Sequence, residues 1–218
     1  MRHEKTFAAI LLALAFFFPK LIDEAFAQSR PPVEEAAATF TLAAVGDIML
    51  GTENHLPPDG AREFFTDVKP YLRDRDIIFG NLEGPLTDRG VPAKNTSTGH
   101  SFCFRTPPSY GAVLKDAGFN ILSLANNHVL DYGPEGRNQT VRVLESLGIG
   151  HTGAPGQISR RAIRGRNFAF IGLSPNNGCQ NINDIPGAVA LVEAARREDP
   201  TTLVIVSMHG GAEGSAYT

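Results

Sequence analysis

The sequence predicts an α/β domain built on a largely parallel sheet, and two patterns carry that expectation. Short apolar runs, partly β-branched, recur at residues 40–45, 76–79, 120–124, 168–173 and 203–207. Helix-like stretches at 62–75, 109–117, 134–147 and 187–198 lie between several of them. Strands alternating with helices describe βαβ units, in which parallel strands are joined by helical crossovers.

The punctuation of each element agrees. Asp59 and Gly60 precede the first helical stretch, and Gly118 closes the second. The third starts at Pro134 and stops before Gly148, and the fourth lies between Pro186 and Pro200. A proline near a helix start gives up an N–H that would be unpaired anyway, and a glycine just past the end accepts the turn. Residues 160–166 carry four arginines with no interleaved aromatic side chain, which reads as a solvated hairpin. Residues 87–108, rich in Pro, Gly, Ser and Thr, interrupt the alternation, and a loop of that length is expected to be a functional surface feature.

The N-terminus predicts export. Arg2, His3 and Lys5 are followed by an unbroken apolar run from Phe7 to Phe18, then by Ala25-Phe26-Ala27. A basic start, an apolar stretch and a small-x-small end describe a secretory signal, here residues 1–27. The run is shorter than the roughly 20 apolar residues that span a bilayer. Residues 28–38 are polar and contain two prolines, so they read as a flexible linker to a domain at 39–218. The formal net charge is −3, and residues 1–27 contain three basic and three acidic residues, so the remainder keeps the same balance. That balance argues against a basic nucleic-acid surface. Cys103 and Cys179 lack the close Cys or His neighbours of a zinc knuckle, and one bridge or two independent thiols both remain open.

The chemistry gathers where the apolar runs end. They lead into Gly46-Asp47, into Gly80-Asn81-Leu82-Glu83-Gly84, into Asn126-Asn127-His128, and into Met208-His209-Gly210-Gly211. In parallel sheets, ligands bind at the carboxyl ends of strands, so these four ends are expected to converge on one crevice. Two carboxylates, an amide oxygen and an imidazole form a mixed O/N donor set, which suits Mn²⁺, Fe²⁺ or Zn²⁺.

These stretches also carry a resemblance. Residues 45–51 (VGDIMLG), 80–86 (GNLEGPL), 104–108 (FRTPP), 124–133 (LANNHVLDYG) and 208–213 (MHGGAE) look like the CapA family of capsule and poly-γ-glutamate synthesis proteins, similar in fold to calcineurin-like metallophosphoesterases. The resemblance implies a metallophosphatase-like layered sheet with flanking helices. It implies that Asp47, Glu83, Asn127 and His209 are metal ligands, with Glu83 able to bridge two ions. His128 would be the catalytic group, donating a proton to a leaving group or holding a phosphate-like oxygen. Arg105, Asn81 and Asn126 would contact substrate, an anionic polymer or a phosphoester-containing molecule. A membrane-associated synthesis complex would be the partner. Two departures are expected to matter. Met49 stands where calcineurin-like enzymes usually carry a histidine, and a thioether is a poor ligand for a hard ion. The family pattern also continues to a later Gly-His-x-x-His element and further strands that do not occur before Thr218, so the two-sheet sandwich is expected to be incomplete and the domain C-terminally truncated.

Overall fold

The structure, a computed structural model, describes residues 39–96 and 101–211. The expected leader and linker lie outside the described residues. The described residues from Thr41 onward form one compact unit.

Two sheets organise it. The first contains β1 (Leu42–Ile48), β2 (Ile77–Leu82), β3 (Ile121–Ser123) and β4 (Gly150–Thr152), in that spatial order and all parallel. The second contains β5 (Ser159–Ile163), β6 (Arg166–Leu173) and β7 (Leu203–Met208), with β5 antiparallel and β7 parallel to β6. Among the described residues the helices are α1 (Lys69–Leu72), α2 (Gly111–Asp116), α3 (Gly133–Ser146) and α4 (Ile185–Arg196), with a 3₁₀ turn at Pro108–Tyr110. This is the mixed α/β, metallophosphatase-like arrangement expected, with a parallel sheet flanked by helices and a second sheet.

All six residues of β2 are buried, as befits a central strand covered on both faces. One face packs on Leu114, Phe119, Leu144 and their neighbours. The other meets the second sheet, where Phe79 stacks on Phe170 at 6.5 Å between ring centres. Thr152 stitches the sheets together, donating from its hydroxyl to Phe170 O at 3.1 Å and accepting from Gly172 N at 3.0 Å. A side chain at Gly172 would stand 2.9 Å from Ser123 Oγ, so that approach requires glycine.

The boundaries differ from expectation in three places. Residues 62–75 are not one helix. Only Lys69–Leu72 is helical, and the preceding backbone closes in i→i+3 turns such as Phe64 N→Ala61 O and Thr66 N→Glu63 O. Pro70 has no N–H to pass the ladder on, and Ala61 and Asp74 take positive φ at either end. Strands β1 and β2 run further than their apolar cores suggest, so Asp47 and Asn81 lie inside strands and are held by ladder bonds. Strand β4, with Gly150, His151 and Thr152, has no apolar run to announce it; its place at the sheet edge is fixed by pairing with β3. The 160–166 hairpin forms, with Arg164 and Gly165 at φ 47° and 78°, the sense required of a tight turn between right-twisted strands. Its arginines reach protein partners: Arg160 donates to Ala194 O and Arg164 pairs with Asp76.

Candidate metal and catalytic centre

Register does the first part of the assembly. Asp47 pairs with Asn81, Asn81 with Ser123, and Ser123 with Thr152, so one polar row crosses the carboxyl-terminal end of the parallel sheet. A register shift between Ala44 and Asp47 bulges β1 just before the row and re-aims Asp47. From the second sheet, His209 follows β7 and donates its backbone N–H to Leu173 O at 2.9 Å.

Asn81 links the two contributions. Its amide nitrogen lies 2.7 Å from Asp47 Oδ1, to which it donates, and 3.1 Å from His209 Nδ1. His209 Nε2 reaches Asn127 Oδ1 at 2.9 Å. The network therefore assigns the His209 proton to Nε2, leaving Nδ1 as the lone-pair nitrogen, 3.4 Å from Asp47 Oδ1. Glu83 Oε1 stands 4.0 Å from His209 Nε2 and 3.7 Å from His128 Nε2. The four expected ligands, Asp47, Glu83, Asn127 and His209, are thus brought together.

Asn126 lies beneath them. It is fully buried, and its amide nitrogen donates to Asn81 Oδ1 at 3.0 Å and Leu82 O at 2.9 Å. Its side-chain oxygen accepts from His128 N at 3.0 Å. Expected as a substrate contact, Asn126 is fully buried and placed as a tie between strand ends. Asn81 is also buried and committed to Asp47, His209 and Asn126.

His128 is held on the opposite side by Asp131, whose Oδ2 accepts from its Nδ1 at 2.6 Å. Asp131 has no exposed surface; Lys94 faces its Oδ1 at 2.7 Å and Phe104 N donates to its Oδ2 at 2.6 Å. Phe104 lies over the His128 ring at 4.1 Å. Asp131 lies inside the 124–133 stretch, and its spacing three residues after His128 is the signal the sequence offers for it. Phe104 opens the 104–108 stretch without its role being readable there, and Lys94 carries no signal, since a loop lysine looks alike wherever it points.

Arg105, the third expected substrate contact, is ion-paired with Glu53 and lies 4.4 Å over the Tyr132 ring. Tyr132 donates its hydroxyl to Glu53 Oε2 at 2.7 Å. Burial, and then that bond to Glu53, push the Tyr132 hydroxyl pKa up. Cys103 and Cys179 are both free, which settles the alternative left open by the sequence.

The two carboxylates feel one another. Burial first, and then the Asp47 carboxylate beside it, raise the Glu83 pKa. Burial also pushes on Asp47, but hydrogen bonds from Asn81 and Glu83 hold it below the ordinary carboxylate value. Crowded carboxylates with an amide oxygen and an imidazole lone pair have the donor chemistry of a divalent cation site. Among the described residues no three His, Cys, Asp or Glu side chains form a ready-made cage, and Asn81 and His209 spend their bonds within the cluster. Met49, where a further imidazole would strengthen it, is 42% exposed.

A two-sheet α/β domain with a polar row of this kind belongs to the metallophosphatase-like class. The comparison of sequences is narrower. The profile of the family described as bacterial capsule synthesis protein PGA_cap matches residues 41–218, and the chain belongs to that family. The capsule biosynthesis protein CapA of Bacillus anthracis is 29% identical over 196 residues, covering 80% of this chain and 47% of its own length. The PGA biosynthesis protein CapA of Bacillus subtilis is 28% identical over 235 residues, covering 97% and 60%. An uncharacterized protein of Sinorhizobium fredii is 36% identical over 118 residues, covering 52% and 24%. The chain spans between 24% and 60% of the length of these curated relatives.

Proposed function

We propose that this chain is an exported protein of capsule or poly-γ-glutamate assembly that acts by metal-assisted hydrolysis or transfer on an anionic, phosphoester-containing or polymeric substrate. One observation carries the reading: Asp47, Glu83, Asn127 and His209, from separate strand ends, meet at one place in a chain of this family. Those four would hold Mn²⁺, Fe²⁺ or Zn²⁺, which supplies charge stabilisation and an acidified water when bound. The remaining work falls to the protein's own side chains. Asp131 fixes the His128 ring so that Nδ1 is occupied and Nε2 faces the cluster. That nitrogen is the atom placed to exchange a proton with a leaving oxygen. A membrane-associated synthesis complex is the setting that the family and the N-terminal leader suggest.

The test is direct. Purified protein should carry roughly one to two divalent ions per chain by elemental analysis. His128→Ala should lower phosphoester turnover by about 10²-fold or more. Protein that holds no ion after reconstitution refutes the reading.

A second reading, a non-catalytic binding module, is favoured by Met49 and by the lack of a ready-made cage among the described residues. It predicts ligand-dependent thermal stabilisation with no turnover for His128→Ala to remove.

A further inference from the structure

Residues 87–108 leave the sheet at Thr87 and return at Thr106, whose backbone exchanges bonds with Thr87 and Pro85. Between those ends the two arms of the loop pass over the turn that carries His128. On one arm, Ala93 N donates to Asp131 O at 2.8 Å. On the other, Phe104 N donates to Asp131 Oδ2. Lys94 reaches from one arm to the other and to the turn at this crossing. Its ammonium lies 2.7 Å from Asp131 Oδ1, 3.1 Å from Asn127 O and 3.4 Å from Phe102 O.

We propose that Lys94 is a positioning residue: its ammonium draws both arms of the 87–108 loop onto the His128 turn and so keeps Phe104 seated on the His128 imidazole. Lysine chemistry suits this task. The donors of one tetrahedral nitrogen can reach two carbonyls that approach from different directions while its charge faces a carboxylate, as a planar fork cannot. Asp131 Oδ2 is already shared between His128 and Phe104. Its second oxygen, in a carboxylate with no exposed surface, takes its counter-charge from the loop. With the ammonium gone, that buried charge would admit water, and the two arms would lose the atom that spans them. Phe104 would then be free to leave the ring. Its seat governs the site, because it closes one face of His128 and leaves Nε2 pointing at Glu83. The role given to His128 rests on the function proposed above, whereas the placement of Phe104 does not.

The experiment reads the ring directly. In isotope-labelled full chain, the His128 carbon-bound ring protons should be shifted upfield by the overlying Phe104 ring. Phe104→Leu, with Lys94 intact, should abolish that shift and so assign it. Lys94→Met should abolish it as well, while amide signals of β2, β3 and α3 stay in place. Lys94→Arg, which keeps charge and donors, should recover part of it. Where the wild type turns over a phosphoester, Lys94→Met should lower kcat by up to about 10²-fold with KM little changed. A wild type without turnover would overturn the proposed function and leave the ring measurement standing. An unchanged His128 shift in Lys94→Met overturns the positioning role. Should Lys94→Met fail to fold, Lys94→Gln, which keeps a donor at shorter reach, is read in its place. Failure of both to fold would show a requirement of folding, and that too overturns the proposal.

Discussion

Asn126 is the residue whose loss should reveal most about how the centre is held. Its amide donates to Asn81 Oδ1 and Leu82 O, and its oxygen accepts from His128 N, all at 2.9 to 3.0 Å and all away from solvent. Asn126→Ala removes three bonds worth about 1 kcal/mol each in net terms, or about 3 kcal/mol together. The groups left behind raise that figure, since a buried partner left unpaired costs about 1–3 kcal/mol. A loss of about 3–5 kcal/mol is therefore expected, read from urea unfolding with the slope unchanged. Asn126→Asp keeps the shape but turns two donors into acceptors and buries a charge, so it should cost at least as much. On the proposed function, Asn126→Ala should also weaken metal binding by about 10–100-fold, the usual effect of removing a group that orients ligands. A variant within 1 kcal/mol of wild type, an order-of-magnitude threshold set by a single net bond, would refute the scaffold role.

Three further outcomes follow from particular residues. Gly84→Ala should destabilise the protein by more than about 1 kcal/mol in urea unfolding, because Gly84 sits at φ +124° and a Cβ there would stand 3.0 Å from Phe104 Cβ. Asp199 is held down to about 2 by hydrogen bonds from Thr201 first and Asn167 second. A depressed carboxylate stabilises the fold above its unfolded value and loses that contribution as pH falls through its folded one. Thermal melts of wild type should thus fall more steeply than those of Asp199→Asn between about pH 4 and pH 2. Thiol titration of the native protein should modify Cys103 quickly and Cys179 only on unfolding, since Cys179 is buried and burial raises its pKa.

Much of the site was legible in the sequence because metal-ligand chemistry uses few residue types and parallel strands present them at one end. Gly46-Asp47, Asn81 through Glu83, Asn126 through His128 and His209 could be singled out from their places after apolar runs. Their roles could not be divided. Asn81, Asn126 and Asn127 read alike along the chain, yet the first two are buried ties and the third turns its oxygen toward His209. Arg105 looked like a free guanidinium, and Glu53, more than fifty residues earlier, occupies it.

The sequence by itself determined the α/β class, the places of the five apolar strands along the chain and the polar residues at the ends of four of them, because hydrophobic periodicity and turn chemistry are local properties. Tertiary structure alone decided the register that aligns Asp47, Asn81, Ser123 and Thr152, the burial of Asp131 and the reach of Lys94 to it. Hydrogen-bond partners, solvent exclusion and the pairing of charges depend on what distant segments bring alongside, and those are fixed only once the two sheets and the loop have packed.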